Sequence, residues 1–333
     1  MKEILITLVC LATVAAGALA QGAQKTDVEK DGLKGRVKST SETLYYAVYE
    51  SGEVAKGDII YYHPMAKYDY KGNTIELNEY NFDGNLDYKN IRKRDYKGNM
   101  IERSVYKSDG SLYYQYIYKY DDNENQIEEN WYNSDGSLNS KYTYNYDDKG
   151  NRIEWNQYNS DYSFNYRYIW KYDDKGNKIE ENGYNFDGSL DSKSIWKYDA
   201  KGNTVEENRY NSDDSLLEKT TWKYDDKGNW IEENWYNSDG NLGYKATWKY
   251  DDKGNKIEEN VYVSDGSLSS NSVCKYDAER NKIEENKYYS DDSLNCKYTY
   301  KYDATGNRVE TLIYKGEESI PATIEIINIE YYE

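Results

Sequence analysis

Residues 171–182 read KYDDKGNKIEEN, and residues 249–260 repeat them without a change. Two adjacent aspartates, a glycine and two adjacent glutamates fall within a few positions, which would suit a metal site, an acid pair or a chain reversal. The spacing decides among these. Asparagine recurs at 73, 99, 125, 151, 177, 203, 229, 255, 281 and 307, and aspartate at 69, 95, 121, 147, 173, 199, 225, 251, 277 and 303, always 26 residues apart. A second aspartate series runs 83, 109, 135, 161, 187, 213, 239, 265 and 291. An unbroken register of this length is the mark of stacked identical units.

Each unit reads as two strands and two turns. The first turn is D-D-K-G or D-A-K-G and the second is N-S-D-G in its commonest form. Asp or Asn at the first position with Gly at the fourth is the pattern of a type I turn followed by a left-handed residue. Glu124, Tyr162, Asp214, Arg280 and Asp292 stand where that glycine belongs, so these turns are expected to be strained. Between turns lie segments of the type NKIEENWY and SLNSKYTYKY, blends of copies such as NQIEENWY (125–132) and SLNCKYTYKY (293–302), of ordinary strand length. Lys141-Tyr142-Thr143-Tyr144-Asn145-Tyr146 alternates with period two, the strand signal. The expected fold is all-β: an antiparallel hairpin meander of ten 26-residue repeats, about twenty strands. Open twisted sheets of that width curl. The sheet is therefore expected to form a superhelix or shell with its aromatic face inward.

One face should collect the tyrosine column Tyr120, Tyr146, Tyr172, Tyr198, Tyr224, Tyr250, Tyr276 and Tyr302, with Trp170, Trp196, Trp222 and Trp248 as a ladder beside it, rungs about 9.5 Å apart. Pairing across the turns sets Glu129 opposite Lys141, Glu181 opposite Lys193, Glu207 opposite Lys219, Glu233 opposite Lys245 and Glu285 opposite Lys297, pairs that help fix register. The recurring Ile or Val from Ile75 to Val309 falls on the charged face, unless a bulge in the EEN segment moves it.

The ends are unlike the repeats. Residues 1–20, MKEILITLVCLATVAAGALA, have the lysine, short apolar run and small-residue site of a signal peptide, so the protein is expected to be exported to the periplasm, cell surface or medium and not to span a membrane. Residues 21–66 form an expected N-terminal β cap, 67–316 the hairpin repeats, and 317–333 a C-terminal strand cap over the exposed edge. The formal charge of −18 disfavours nucleic acid and anionic membranes as partners. Leu, Ile, Val and Phe make up only about 16% of the chain, but 42 tyrosines and eight tryptophans replace an aliphatic core with aromatic area. Cys274 and Cys296 are separated by an intervening strand in this scheme, which opposes a disulfide between them.

The motif YxYDxxGNxIE followed by YNxDGSL, as in YNYDDKGNRIE at 144–154, resembles the YD repeats of Rhs-type bacterial proteins over about residues 68–307. The resemblance implies a strip of β-hairpins spiralling into a shell, with carbohydrate binding suggested for some members. The toxin and boundary motif of large Rhs proteins are not visible, and short secreted YD-repeat proteins are more similar.

Chemistry is sparse. His63 is the single histidine, read as a surface or cap residue, so a triad or a His-based metal cluster is not expected, and no catalytic residue or cofactor is assigned. The Glu-Glu pairs at 128/129, 180/181, 206/207, 232/233, 258/259 and 284/285 recur in equivalent surroundings, and adjacent strand residues face opposite ways, which argues against a glycosidase pair. The turn aspartates suit capping their own backbone better than calcium, which needs six to eight oxygens. Trp170, Trp196, Trp222 and Trp248 remain as candidates to stack on sugar rings; the plainer alternative is that they are core. The expected function is non-enzymatic binding of an extracellular polysaccharide or protein along the repeats, or else a structural envelope scaffold.

Overall fold

The computed structural model describes residues 25–333; residues 1–20, expected to be a signal peptide, lie outside them. One short helix, α1 (Asp27–Lys30), precedes twenty-three strands, β1–β23, joined almost throughout as an antiparallel meander. Both turn types form as the sequence requires. At the first, the Asp173 N–H donates to the Asn177 carbonyl (2.9 Å) and the Gly176 N–H to the Asp173 carbonyl (3.0 Å). Asp173 Oδ1 accepts from the Lys175 and Asn177 amides and Oδ2 from Asn177 Nδ2, at 2.8–2.9 Å. At the second, Asp187 Oδ1 accepts from the amide and hydroxyl of Ser189. The carboxylates of KYDDKGN are thus engaged by their own corner. Glu124, Tyr162, Asp214, Arg280 and Asp292 all take φ of 60–70°, the left-handed conformation expected of them.

The register departs from expectation by one residue. Asn130, not Glu129, faces Lys141, and Asn182, Asn208, Asn234 and Asn286 likewise face Lys193, Lys219, Lys245 and Lys297. The cause is a bulge beside each turn: in the pair β12 (Lys178–Asn185) and β13 (Leu190–Tyr198) the register slips between Gly183 and Tyr184, leaving one extra residue on the partner strand. The charge pairing survives through the other glutamate. Glu128 holds Lys119 (2.6 Å) and Lys141 (2.7 Å), and Glu206 and Glu232 each hold two lysines in the same way. Lys197 and Lys219 keep the Glu206 carboxyl down at about 2. The bulge also sends a second tyrosine column to this charged face, where Tyr210 lies opposite Lys193 and Tyr314 opposite Lys297. The bulged isoleucines are not a buried row, for Ile75, Ile101, Ile127 and Ile283 are each more than a third exposed.

The sheet is a closed ring and not a superhelix. β1 (Val37–Glu50) pairs with β23 (Thr323–Tyr331) from Val37–Tyr331 to Tyr46–Thr323, and its other edge pairs with β2 (Glu53–Tyr62) and β3 (Met65–Tyr68), which share one stave. This makes a 22-strand barrel. The segments expected to cap open edges remove those edges by pairing with each other, the device of any barrel.

Stagger fixes which face looks inward. Trp170 faces Glu181, and Glu181 faces Ser194, two residues short of the equivalent Trp196. The wall therefore climbs about one residue per strand, the ratio of an eight-strand barrel of shear 8, whose strands tilt by about 36°. The right-handed strand twist sets the hand of that tilt. Combined with the hydrogen-bond direction of each strand, it turns the Trp170–Tyr172 face to the lumen and the Lys–Glu face outward. At about 4.8 Å per strand the ring is about 40 Å across, four times the spacing of packed sheets. The inner face consequently has no opposite wall to pack on. The packed apolar cluster is local to the seam: Val28 of the α1 turn and Leu33 rest on Val37, Ala66, Tyr68, Leu77, Ile329 and Tyr331.

Candidate functional site

The inner wall gathers every tryptophan of the chain. Trp170, Trp196, Trp222 and Trp248 occupy equivalent places opposite Glu181, Glu207, Glu233 and Glu259. Trp131 pairs with Tyr116, Trp155 with Tyr144, Trp230 with Tyr224 and Trp235 with Tyr244, all on the same face. The second glutamate of each EEN segment, displaced inward by the bulge, alternates with the indoles.

The four expected rungs are not equivalent. Trp170 stacks on Tyr168 (centroids 5.9 Å, 16°) and donates its Nε1–H to Glu181 at 2.5 Å. Trp196 is covered by Lys178, whose ammonium sits 4.0 Å from the ring. Trp222 and Trp248 are instead joined through Trp230, at centroid distances of 6.4 and 4.9 Å. Trp230 is 39% exposed, which makes it the open member of a continuous three-indole surface. Glu233 accepts from Trp222 Nε1 (3.1 Å) and from the Tyr244 hydroxyl, so its oxygens are oriented beside the rings. Sequence reasoning passed over Trp230 because its position carries Thr74, Gln126, Lys178 or Thr204 in other units. A tryptophan at a polar position of the period was the available signal.

The tyrosine column has a different task. Tyr120, Tyr146, Tyr172, Tyr198, Tyr224, Tyr250, Tyr276 and Tyr302 each donate the hydroxyl to the carbonyl twenty residues earlier, at 2.6–2.9 Å. That carbonyl belongs to the first strand residue after the preceding first-type turn, beside the bulge that takes it out of the regular ladder. Each tyrosine thus locks its unit to the one before.

At the seam the single histidine meets two carboxylates. His63 Nε2 lies 3.2 Å from Glu42 Oε1, and Arg308 lies 3.2 Å from Glu325 Oε2 and 3.9 Å from Glu42 Oε2. Thr311 donates its hydroxyl to Glu325 at 2.7 Å. Burial, then the neighbouring Glu325 carboxylate, pushes Glu42 up to about 7, while burial lowers His63. His63 is therefore not a bare surface residue. Cys274 and Cys296 are both free, separated by β20 (Lys282–Tyr289), where they face Glu285 and Lys287.

No family model and no curated protein matches the chain. Among solved structures it is similar to the TcdB2-TccC3-Cdc42 complex, at 10% identity over 78% of this chain and 19% of that one, with a TM-score of 0.34. TcdB2-TccC3 without its hypervariable C-terminal region gives 11% identity, 84% and 18% coverage and a TM-score of 0.33. A porin-like protein from Bacteroides uniformis gives 9% identity, 89% and 99% coverage and a TM-score of 0.31. The chain spans about a fifth of the toxin-complex chains it matches. These are loose likenesses of β-strand architecture and carry nothing on function.

Proposed function

We propose that this is an exported, non-enzymatic YD-repeat-like protein that binds an extracellular glycan on the inner wall of its barrel. The observation that carries this reading is the placement of all eight tryptophans on the lumen face, interleaved with glutamates, where the width of the ring gives them no opposite wall to pack on. An indole face stacks on the apolar face of a pyranose while a carboxylate beside it accepts from hydroxyls. Trp222, Trp230 and Trp248 with Glu233 form the best-developed stretch. Polar and charged lumen residues beside it suit a hydrated chain more than a lipid.

The outward face supports a water-borne barrel. A membrane barrel needs an outward apolar band about 25 Å tall. Here that face carries Glu128, Glu206, Glu232 and Glu284 with their lysines.

The test is intrinsic fluorescence during titration with a panel of neutral and acidic polysaccharides. A binder should quench or shift the indole emission, and Trp230→Ala together with Trp248→Ala should weaken it at least about tenfold, since stacking on one aromatic is worth about 1 kcal/mol or more. If no polysaccharide perturbs the emission and these variants lose only stability, the wall is a scaffold and the glycan reading fails.

A further inference from the structure

We infer that Glu42, His63 and Glu325 form a first-row divalent metal site, best suited to zinc, that staples the barrel where its two ends meet. One donor atom from each residue lies within 4.8 Å of the other two. The His63–Glu42 separation of 3.2 Å already matches the edge of a tetrahedron of ligands about 2.0–2.1 Å from zinc, roughly 3.3 Å. An imidazole nitrogen with two carboxylate oxygens is a donor set for such an ion, where an all-oxygen cage would suit calcium. The second requirement, oriented ligands, is also met. Thr311 fixes Glu325 through its hydroxyl, and the His63 N–H donates to the Glu42 carbonyl at 3.0 Å, which pins the backbone under the imidazole.

The placement gives the site a role. Glu42 lies on β1, His63 in the link between β2 and β3, and Glu325 on β23, so the three ligands come from three successive staves of the seam. An ion there crosslinks the first and last strands, 283 positions apart in the chain. Arg308 is the resident cation against these carboxylates and would be displaced by the ion.

The test is isothermal titration of the full chain with zinc at pH 7.5, paired with hydrogen exchange. One equivalent is expected to bind and to slow exchange of the β1 and β23 amides relative to those of β12 and β13. His63→Ala should weaken binding at least about tenfold. Glu42→Gln, which keeps the side-chain size and so the fold, should do the same, whereas Asp225→Asn at a remote turn should leave binding unchanged. No stoichiometric binding by the unaltered protein, or binding that survives both seam variants, would overturn the assignment. A zinc effect on exchange spread evenly around the barrel would overturn it as well.

Discussion

The repeat wall and the seam are held together by different physics. In the wall every contact is short-range in sequence or one unit away: turn aspartates bond their own amides, lysines clamp a glutamate on the next strand, and a tyrosine reaches back twenty residues. Its buried apolar side chains, such as Val105, Tyr118 and Tyr144, are scattered along the sheet and lie outside the packed cluster. At the seam the partners are distant. The Lys34 amide donates to Asn307 Oδ1 at 2.7 Å, Asn307 Nδ2 returns a bond to the Lys34 carbonyl at 2.8 Å, and the Tyr332 hydroxyl reaches the Tyr68 carbonyl. Here an apolar cluster forms under α1, where Val37 is 1% and Tyr68 2% exposed. Closing a loop of nearly the whole chain costs entropy that no periodic contact offsets, so the hydrophobic burial is concentrated where that cost falls.

This contrast makes the seam the place to break. Tyr68→Ala should cost about 3–4 kcal/mol in urea unfolding, because it empties the packed seam cluster and orphans Asp31, which accepts the Tyr68 hydroxyl at 2.8 Å. Solution scattering should then show a larger radius if the ring opens. A loss below about 1 kcal/mol would mean that the wall closes without its seam core.

A smaller effect is expected within the wall. Tyr198→Phe removes the bond to the Lys178 carbonyl and should cost about 1 kcal/mol. The outward Tyr210, which has only Lys193 above its ring at 5.7 Å, should tolerate the same change almost neutrally. Equal costs at the two positions would remove the distinction between locking and outward columns.

The weakest effect concerns the outer ion pairs. Paired lysines lower the Glu206 carboxyl to about 2 against the opposing effect of burial. Burial raises the Glu232 carboxyl, and its paired lysines outweigh this and lower it to about 2 as well. A lowered folded-state pKa gives stability that is complete above the unfolded value near 4.5 and lost as pH falls toward 2. The lysines of these pairs are each more than a third exposed, so solvent screens the pairs and the contribution is modest. Urea midpoints measured from pH 6 to pH 2 should fall through this window, and Glu206→Gln should flatten the slope. A slope unchanged by that variant would place the acid sensitivity elsewhere.

Much of the wall was legible in residues that act locally. KYDDKGNKIEEN specified a turn aspartate, a left-handed glycine and a recurring asparagine after it, and the same grammar located the five strained turns. The tryptophan ladder and the tyrosine column also fall on one face as alternation requires. What local pattern missed was the bulge beside each turn. It adds one residue per hairpin, exchanges the two glutamates between faces and sends a second tyrosine column outward. Trp230 escaped because its importance comes from filling the gap between Trp222 and Trp248 on neighbouring strands, a relation invisible along one strand.

The sequence by itself determined the period, the strands, the corners and the concentration of aromatics on one surface, because these depend on torsional preference and period-two alternation over a few residues. Only the tertiary structure decided that the strip closes, which face it turns inward and where its sole histidine lands. Those outcomes depend on twist summed over the whole sheet and on the meeting of two ends that are far apart along the chain. His63 illustrates the limit: between Tyr62 and Pro64 it is an unremarked residue, and only the closed ring sets it against Glu42 and Glu325.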